Sequence, residues 1–269
     1  MKKIIILIPI FNDWESLQKL IIEIDKNING LNNILFECFI INDASSINQP
    51  KLKKPENINK IKVLNMKKNR GHARCNAFGI RYIFQKENFD YLILMDGDGE
   101  DRPEEIKSFI EKISDDPNVS VVAKRVKRSE GEFFKFLYLM HKAITYFFTG
   151  KKINFGNYSC LTKIDVGKIS SEASLWSSYS GTIKKYLINF NSISSVRGKR
   201  YFGPSQMSLF KLIIHSFSII AVFKFQVLLR VILLIIALFY LKTHLGIISF
   251  LLQFLLIIFS IVIFIVSLR

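Results

Sequence analysis

Through the first 125 residues, short apolar runs alternate with amphipathic stretches. Residues 3–8, 36–41, 60–64, 91–95 and 119–123 read as strands, each rich in Ile, Val, Leu, Phe or Tyr and bounded by turn residues. Between them Trp14–Ile28 and 72–85 carry apolar positions at helical spacing, with Asn12 or Asp13 placed to open the first helix. Strands alternating with helices predict an α/β domain with a largely parallel sheet. The Asn-, Lys- and Pro-rich stretch 45–59 shows no period and predicts a peripheral loop.

The pattern changes after the fifth strand. From 124 to 152, lysines and arginines interleave with Phe133, Phe134, Phe136, Tyr138, Tyr146 and Phe147, the pattern of a helix lying in a membrane interface (about 131–150) or packed on the sheet. A second apolar stretch with scattered cations, 206–224, predicts a juxtamembrane amphipathic helix. Residues 225–241 are apolar apart from Arg230, and 245–268 carry no charge at all. At about 1.5 Å per residue the second of these exceeds a hydrocarbon core of roughly 30 Å, so it predicts a transmembrane helix. With only Lys242, Thr243 and His244 between them, the two stretches predict a membrane hairpin over 225–268. The expected organisation is thus a domain at 1–205, the juxtamembrane helix, and the hairpin.

Composition narrows the setting. The chain has 38 Lys and Arg against 22 Asp and Glu, a formal charge of +16. That excess holds the non-membrane region on the cytoplasmic side of a cell inner membrane, with the chain multi-pass. It also implies an anionic partner, and membrane lipids or an anionic substrate fit better than nucleic acid, for which no groove-reading motif occurs. The opening MKKIIILIPIF is too short an apolar run, and carries Pro9, for a signal peptide; it reads as the first core strand. Cys38, Cys75 and Cys160 stand alone, without metal-ligand or disulfide spacing, as suits a reducing compartment.

The chemistry is concentrated where strands should end. After the run 91–95 come Asp96-Gly-Asp98-Gly-Glu100-Asp101, with Pro103 and Glu104 suiting the first turn of a helix. Two acids one residue apart on a strand-loop-helix corner offer hard oxygen ligands to Mg²⁺ or Mn²⁺, which complete their shells with substrate phosphates and water. The same spacing also suits an acidic surface turn. Pro9-Ile-Phe11-Asn-Asp13, Asn42-Asp43-Ala-Ser45-Ser and Asn69-Arg-Gly71-His72 follow the other strands. In a doubly wound sheet all of these share one edge, where Asp13 and Asp43 can meet a base or ribose and Arg70 or Arg74 a phosphate.

In this order the motifs resemble the family-2 glycosyltransferases of GT-A fold, and within them the polyprenyl-phosphate hexosyltransferases similar to dolichyl-phosphate mannose synthase. The resemblance rests on Pro9-x-Phe11-Asn12-Asp13, Asn42-Asp43-x-Ser45, Asn69-x-Gly71-x-x-x-Cys75-x-Ala77-x-Gly79, Asp96-x-Asp98 and Pro103-Glu104. Arg125-x-x-Arg128 and Arg200-Tyr-Phe-Gly203-Pro-Ser205-Gln206 look like that subgroup's segments near the diphosphate and the lipid phosphate. Three positions depart from its pattern: Asn42 for a frequent Asp, Glu100 for Gln, and Gln206 for Lys.

The resemblance implies inverting transfer of a hexose from a nucleotide-diphosphate sugar to a polyprenyl phosphate such as undecaprenyl phosphate, for cell-envelope glycans. It implies Pro9, Phe11, Asp13, Asp43, Asn69, Gly71 and Asp96 around the nucleotide sugar, and Mg²⁺ or Mn²⁺ on Asp98 and Asp96. Arg125 and Arg128 would join the two acids in catalysis, while Arg128, Arg200 and Ser205 would receive the acceptor phosphate. A phosphate acceptor is already anionic and needs no strong base; were the acceptor a glycan or lipid hydroxyl, Asp101 or Glu100 would be the base. A third possibility, of another class, is a non-catalytic scaffold or a subunit of a sugar-lipid translocase. Hairpin packing also makes a homo-oligomer an expectation.

Overall fold

The computed structural model describes residues 1–127, 132–204 and 209–268. They form two compact units, Met1–Ser129 with Asn154–Gln206, and Glu130–Ile153 with Met207–Arg269. The helix expected at about 131–150 therefore groups with the C-terminal helices.

The first unit is a seven-stranded sheet built from β1 (Lys2–Ile10), β2 (Ile34–Asn42), β3 (Ile58–Asn65), β4 (Tyr91–Leu94), β5 (Val121–Lys127), β6 (Phe155–Thr162) and β7 (Asn191–Val196). Their order is β3-β2-β1-β4-β6-β5-β7. The half that carries β1 to β4 is parallel, as the alternation predicts, whereas β6 runs antiparallel between β4 and β5. Ile4 to Ile8 of β1 are fully buried, because this strand is covered on both faces.

Helices α1 (Trp14–Ile28) and α2 (His72–Lys86) cover the parallel half, and α3 (Glu105–Asp115) packs against β5 and β7. On α1 the residues Leu17, Leu20, Ile21 and Ile24 recur at helical spacing and are fully buried, each stabilising the unit by about 1.5–3 kcal/mol. Truncating Leu20 to Ala would cost about 2–5 kcal/mol. On α2 the approach to the sheet is so close that a Cβ at Gly79 would lie 2.5 Å from Leu7 Cδ1. Short helices α5 (Lys163–Ser170) and α6 (Tyr179–Tyr186) follow β6, joined by a 3-10 turn at Ala173–Trp176.

The crevice of this sheet is set by topology. Going outward from β1, the chain runs to β2 and β3 on one side and to β4 on the other, so the loops after β1 and β4 diverge and leave a gap at the C-terminal strand ends. Both the Asn12-Asp13 and the Asp96-Gly-Asp98 segments begin there.

The second unit is helical: α4 (Glu132–Thr149), α7 (Leu209–Ala221), α8 (Lys224–Tyr240), α9 (Lys242–Leu245) and α10 (Ile247–Ser267). Its small core joins Ile220, Val227, Val231 and Ile263, with Phe148 against Phe259 at a centroid distance of 4.4 Å. Among the described residues α10 is the single helix long and apolar enough to cross a membrane by itself, with a mean hydropathy of 2.9. The stretch read as the first hairpin arm forms α8, which meets α7 at 88°; only together does that bent pair reach the length of a span.

Candidate active site

The loop after β4 is the centre of the arrangement. Gly99 lies at φ +86°, a left-handed conformation that glycine adopts without strain, and the Tyr201 ring sits where its Cβ would project. Asp101 is buried at 5 % exposure, and its Oδ2 accepts the Asp96 amide at 3.0 Å, closing the loop on itself. Burial and the neighbouring Asp96 charge push the Asp101 carboxyl well above the usual carboxylate range. The residue expected as a possible base is thus a brace for the acid pair in this geometry.

Asp96 is held from two sides. His72 Nε2, at the start of α2, lies 3.0 Å from its Oδ1, and Asn157 Nδ2 of β6 donates to the same oxygen at 3.4 Å. Burial alone would raise its pKa, but His72, with further help from Arg125 and Asn157, outweighs that and holds the carboxyl below the ordinary range. The His72 ring, also desolvated, is raised in turn because Asp96 and the other carboxylates favour its charged form.

Asp98 behaves oppositely. Burial and the adjacent Asp96 charge push its pKa up to about 6, against the pull of Arg200 and Arg197. Its Oδ1 accepts the Glu100 amide at 3.0 Å and its Oδ2 pairs with Arg200 Nη1 at 3.0 Å. Arg200 Nη2 pairs with Asp13, so one guanidinium joins the loops after β1 and β4.

This guanidinium arrives on a segment that follows β7. Gly198 donates its amide to Glu100 O at 2.8 Å and Tyr201 to Asp98 O at 2.9 Å, while Arg197 pairs with Glu100. Residues 197–201 therefore lie along 98–100 like an added strand. Arg200 was expected near the acceptor phosphate; its neighbours here are the carboxylates of Asp98 and Asp13.

The other strand-end motifs meet in a backbone framework. Asp43, 3 % exposed, accepts the amides of Arg70 and Gly71, each at 2.8 Å, so it shapes the turn into α2. Asn12 accepts the Ser46 amide at 2.8 Å, and Ser45 Oγ accepts the Asn12 amide at 2.8 Å, tying the β1 and β2 loops together. Asp13 precedes α1 without capping it by its side chain. Beside this framework a hollow of about 360 Å³ is lined by Asn42, Ser45, Asn48, Gln49 and Asn65. Pro9 is buried in β1, Phe11 is partly exposed at the loop, and Asn69 is exposed.

Arg125, on β5, rests across Gly156, where a Cβ would meet its Nη2 at 3.3 Å. From there its charge reaches Asp96 and Asp101. Arg128, Ser205 and Gln206 lie outside the described residues. Three contributors were not anticipated: His72, although its motif was noted, Asn157 and Arg197. Their partners are distant in sequence, and residue type alone carries no signal of them.

The acid pair offers a divalent cation a partial donor set. Among the described residues no three His, Cys, Asp or Glu side chains form a ready-made metal cage. Two hard carboxylates with one unfavourably charged member do fit Mg²⁺ or Mn²⁺, ions that draw their remaining ligands from phosphate and water.

Comparison with known proteins agrees with this layout. Residues 5–174 match the family model described as glycosyl transferase family 2. The undecaprenyl-phosphate 4-deoxy-4-formamido-L-arabinose transferase of Proteus mirabilis is 28% identical over 162 residues, 60% of this chain and 48% of that protein. The dolichol-phosphate mannosyltransferase of Pyrococcus furiosus is 27% identical over 135 residues, covering 50% of this chain and 36% of that protein. The chain thus spans about half or less of the length of these relatives. Among solved structures, glucosyl-3-phosphoglycerate synthase of Mycobacterium tuberculosis, in complex with Mn²⁺, UDP-glucose and phosphoglyceric acid, superposes with a TM-score of 0.56. That likeness, at 12% identity over 84% of this chain and 80% of the other, concerns the fold, a GT-A-like mixed α/β sheet. With most of the first unit inside the matched region, the chain belongs to glycosyl transferase family 2.

Proposed function

We propose that the chain is a glycosyltransferase that moves a hexose, with inversion, from a nucleotide-diphosphate sugar to a polyprenyl phosphate at the cytoplasmic leaflet of the cell inner membrane. The observation that carries the reading is the Asp13–Arg200–Asp98 bridge: one cation spans the gap at the strand ends where a diphosphate and a second anion would have to meet.

The residues divide the work by charge. Asp96 and Asp98 would hold Mg²⁺ or Mn²⁺, and the ion, when bound, supplies Lewis-acid neutralisation of the leaving diphosphate. His72 and Asn157 orient Asp96, and Asp101 fixes the loop backbone. Asp43 shapes the turn into α2, and the amide-lined hollow beside it receives the base or ribose. Arg125, Arg200 and, in sequence, Arg128 supply cations for donor and acceptor phosphates, and holding the two anions in line contributes much of the acceleration.

A phosphate acceptor is favoured over a hydroxyl because both candidate bases are engaged. Asp101 is buried and bonded to the Asp96 amide, and Glu100 is paired with Arg197. The relatives named for undecaprenyl- and dolichol-phosphate substrates support the same choice. For the membrane, the bent pair of α7 with α8 would supply one span and α10 the next, the arrangement of a multi-pass chain.

Purified protein incubated with a panel of labelled nucleotide sugars, Mg²⁺ or Mn²⁺, and undecaprenyl phosphate should yield one sugar-lipid. Absence of product with every donor, together with transfer to a hydroxyl acceptor, would reject the proposal.

A further inference from the structure

Arg230 is the one arginine in the apolar stretch 225–241. Its Nη1 donates to the carbonyls of Tyr146, at 3.3 Å, and Phe147, at the end of α4. The Tyr146 carbonyl also accepts the Gly150 amide at 2.7 Å, and both carbonyls lie at the negative end of the helix, so a cation there is favourable. Gly150, just past α4 at φ +71°, leaves room for the group: a Cβ would lie 2.7 Å from Arg230 Nη2.

A helix cap uses only part of a guanidinium. Arginine presents five N–H donors in a planar fork, and among the described residues neither Nε nor Nη2 of Arg230 has an acceptor. The half-buried side chain borders an open cavity of about 670 Å³, walled by Ile144, Tyr146, Phe147 and Phe148. Lys152 lies over the Tyr146 ring, 5.4 Å from its centroid.

The acids of this unit, Glu130 and Glu132, stand at least 14 residues before Tyr146 in sequence. No Asp or Glu falls in 133–153, and none follows Glu172. Intramembrane or interfacial cations ordinarily find a partner, and here the protein's own contribution is two carbonyl oxygens. A guanidinium with a free edge matches phosphate oxygens bidentately, and the aromatic wall suits acyl chain or glycerol. Arg230 stands six residues beyond Lys224, the start of α8, about 9 Å along the helix axis, within reach of a headgroup layer.

We propose that the cavity between the end of α4 and Arg230 is a binding site for the phosphate headgroup of an anionic membrane lipid, separate from the acid corner of the α/β unit. The Arg230 fork holds the phosphate, Lys152 and its neighbour Lys151 enlarge the positive field, and Tyr146 and Phe147 receive the apolar part. The inference rests on the proposed membrane association and is independent of the sugar and of the acceptor.

The test uses the full chain in nanodiscs of phosphatidylcholine with a minority of phosphatidylglycerol, followed by native mass spectrometry of the lipid that remains bound. Wild-type protein should retain phosphatidylglycerol selectively, and Arg230→Gln should retain about fivefold less, the effect of one interfacial cation. Arg230→Lys keeps a charge for the α4 carbonyls but not the fork, so it should melt like wild type and show an intermediate loss; it covers the case in which the Gln variant does not fold. Excess inorganic phosphate should leave the lipid in place. Equal retention by wild type and both variants would overturn the site, and phosphate binding alone, lost in Arg230→Lys without any lipid preference, would overturn the lipid assignment. Flotation with vesicles and the sugar-lipid assay report membrane association and transfer separately, so failure of this site is distinguishable from failure of the proposed function.

Discussion

The two units handle positive charge in opposite ways. In the α/β unit the cations nearest the chemistry are already matched: Arg200 bridges Asp13 and Asp98, and Arg197 pairs with Glu100. In the helical unit Arg230 rests on carbonyl oxygens, and no acid occurs in the surrounding sequence. The first arrangement is neutralised from within, so the metal-diphosphate proposed to bind there would compete with arginines for the same carboxylates. The second leaves a charge edge for the proposed lipid phosphate to satisfy. The proposed partners of an acid-rich corner and of an acid-free apolar segment are thus of different kinds.

The sharpest break of this contrast is at Asp98. Asp98→Asn removes a proposed metal ligand and should lower sugar transfer on the order of 10²- to 10³-fold, the scale of losing one preorganised electrostatic group. The same variant should gain stability. A carboxyl whose folded pKa is raised to about 6 destabilises the fold when charged, so its penalty is absent below the ordinary carboxylate range and grows as pH rises through about 6. Thermal melts should then show Asp98→Asn more stable than wild type at pH 8 by about 1–3 kcal/mol and little different at pH 4. Higher wild-type stability at pH 8 would show that the Arg200 pairing dominates instead.

Arg200 gives the next effect. If it competes with the cation, Arg200→Gln should bind Mn²⁺ roughly tenfold more tightly, the size of one close charge largely screened by water, while transferring sugar more slowly. Electron paramagnetic resonance of free Mn²⁺ measures the first and product formation the second. Weaker Mn²⁺ binding would mean that Arg200 organises the acids and does not rival the metal. A smaller effect is expected at Asp43→Asn. It weakens two charge-assisted bonds to backbone amides, and denaturation should report a loss of about 1–3 kcal/mol with the donor bound less tightly. The smallest is the roughly fivefold change in retained lipid at Arg230.

Much of this contrast was legible in the sequence, but unevenly. β1, β2 and β4 are nearly unbroken apolar runs because both sheet faces are covered, and the strand ends carry the turn residues that mark them. β6, with Gly156, Asn157 and Ser159, and β7, with Asn191, Ser192 and Ser194, have no such runs and are held by pairing to β4 and β5. Tertiary context made those strands, which local pattern could not announce.

The candidate site divides along the same line. Asp96 and Asp98 stand one residue apart and were visible as a pair. The contacts of His72 and Asn157 with Asp96, and of Arg197 with Glu100, span 24, 61 and 97 residues and depend on how the sheet brings loops together. Asn12 shows the reverse: its motif was evident, but its hydrogen bonds to Ser45 and Ser46 serve loop geometry.

The proposed division between a donor corner and a lipid acceptor is tested most directly by the acceptor itself. One preparation in detergent, with its active nucleotide sugar and Mg²⁺ or Mn²⁺, should be offered undecaprenyl phosphate and undecaprenol in parallel. Sugar should pass to the phosphate and not to the alcohol, because the two candidate bases, Asp101 and Glu100, are engaged. Equal or preferred transfer to the alcohol would contradict the phosphate acceptor and return one of those carboxylates to the role of base.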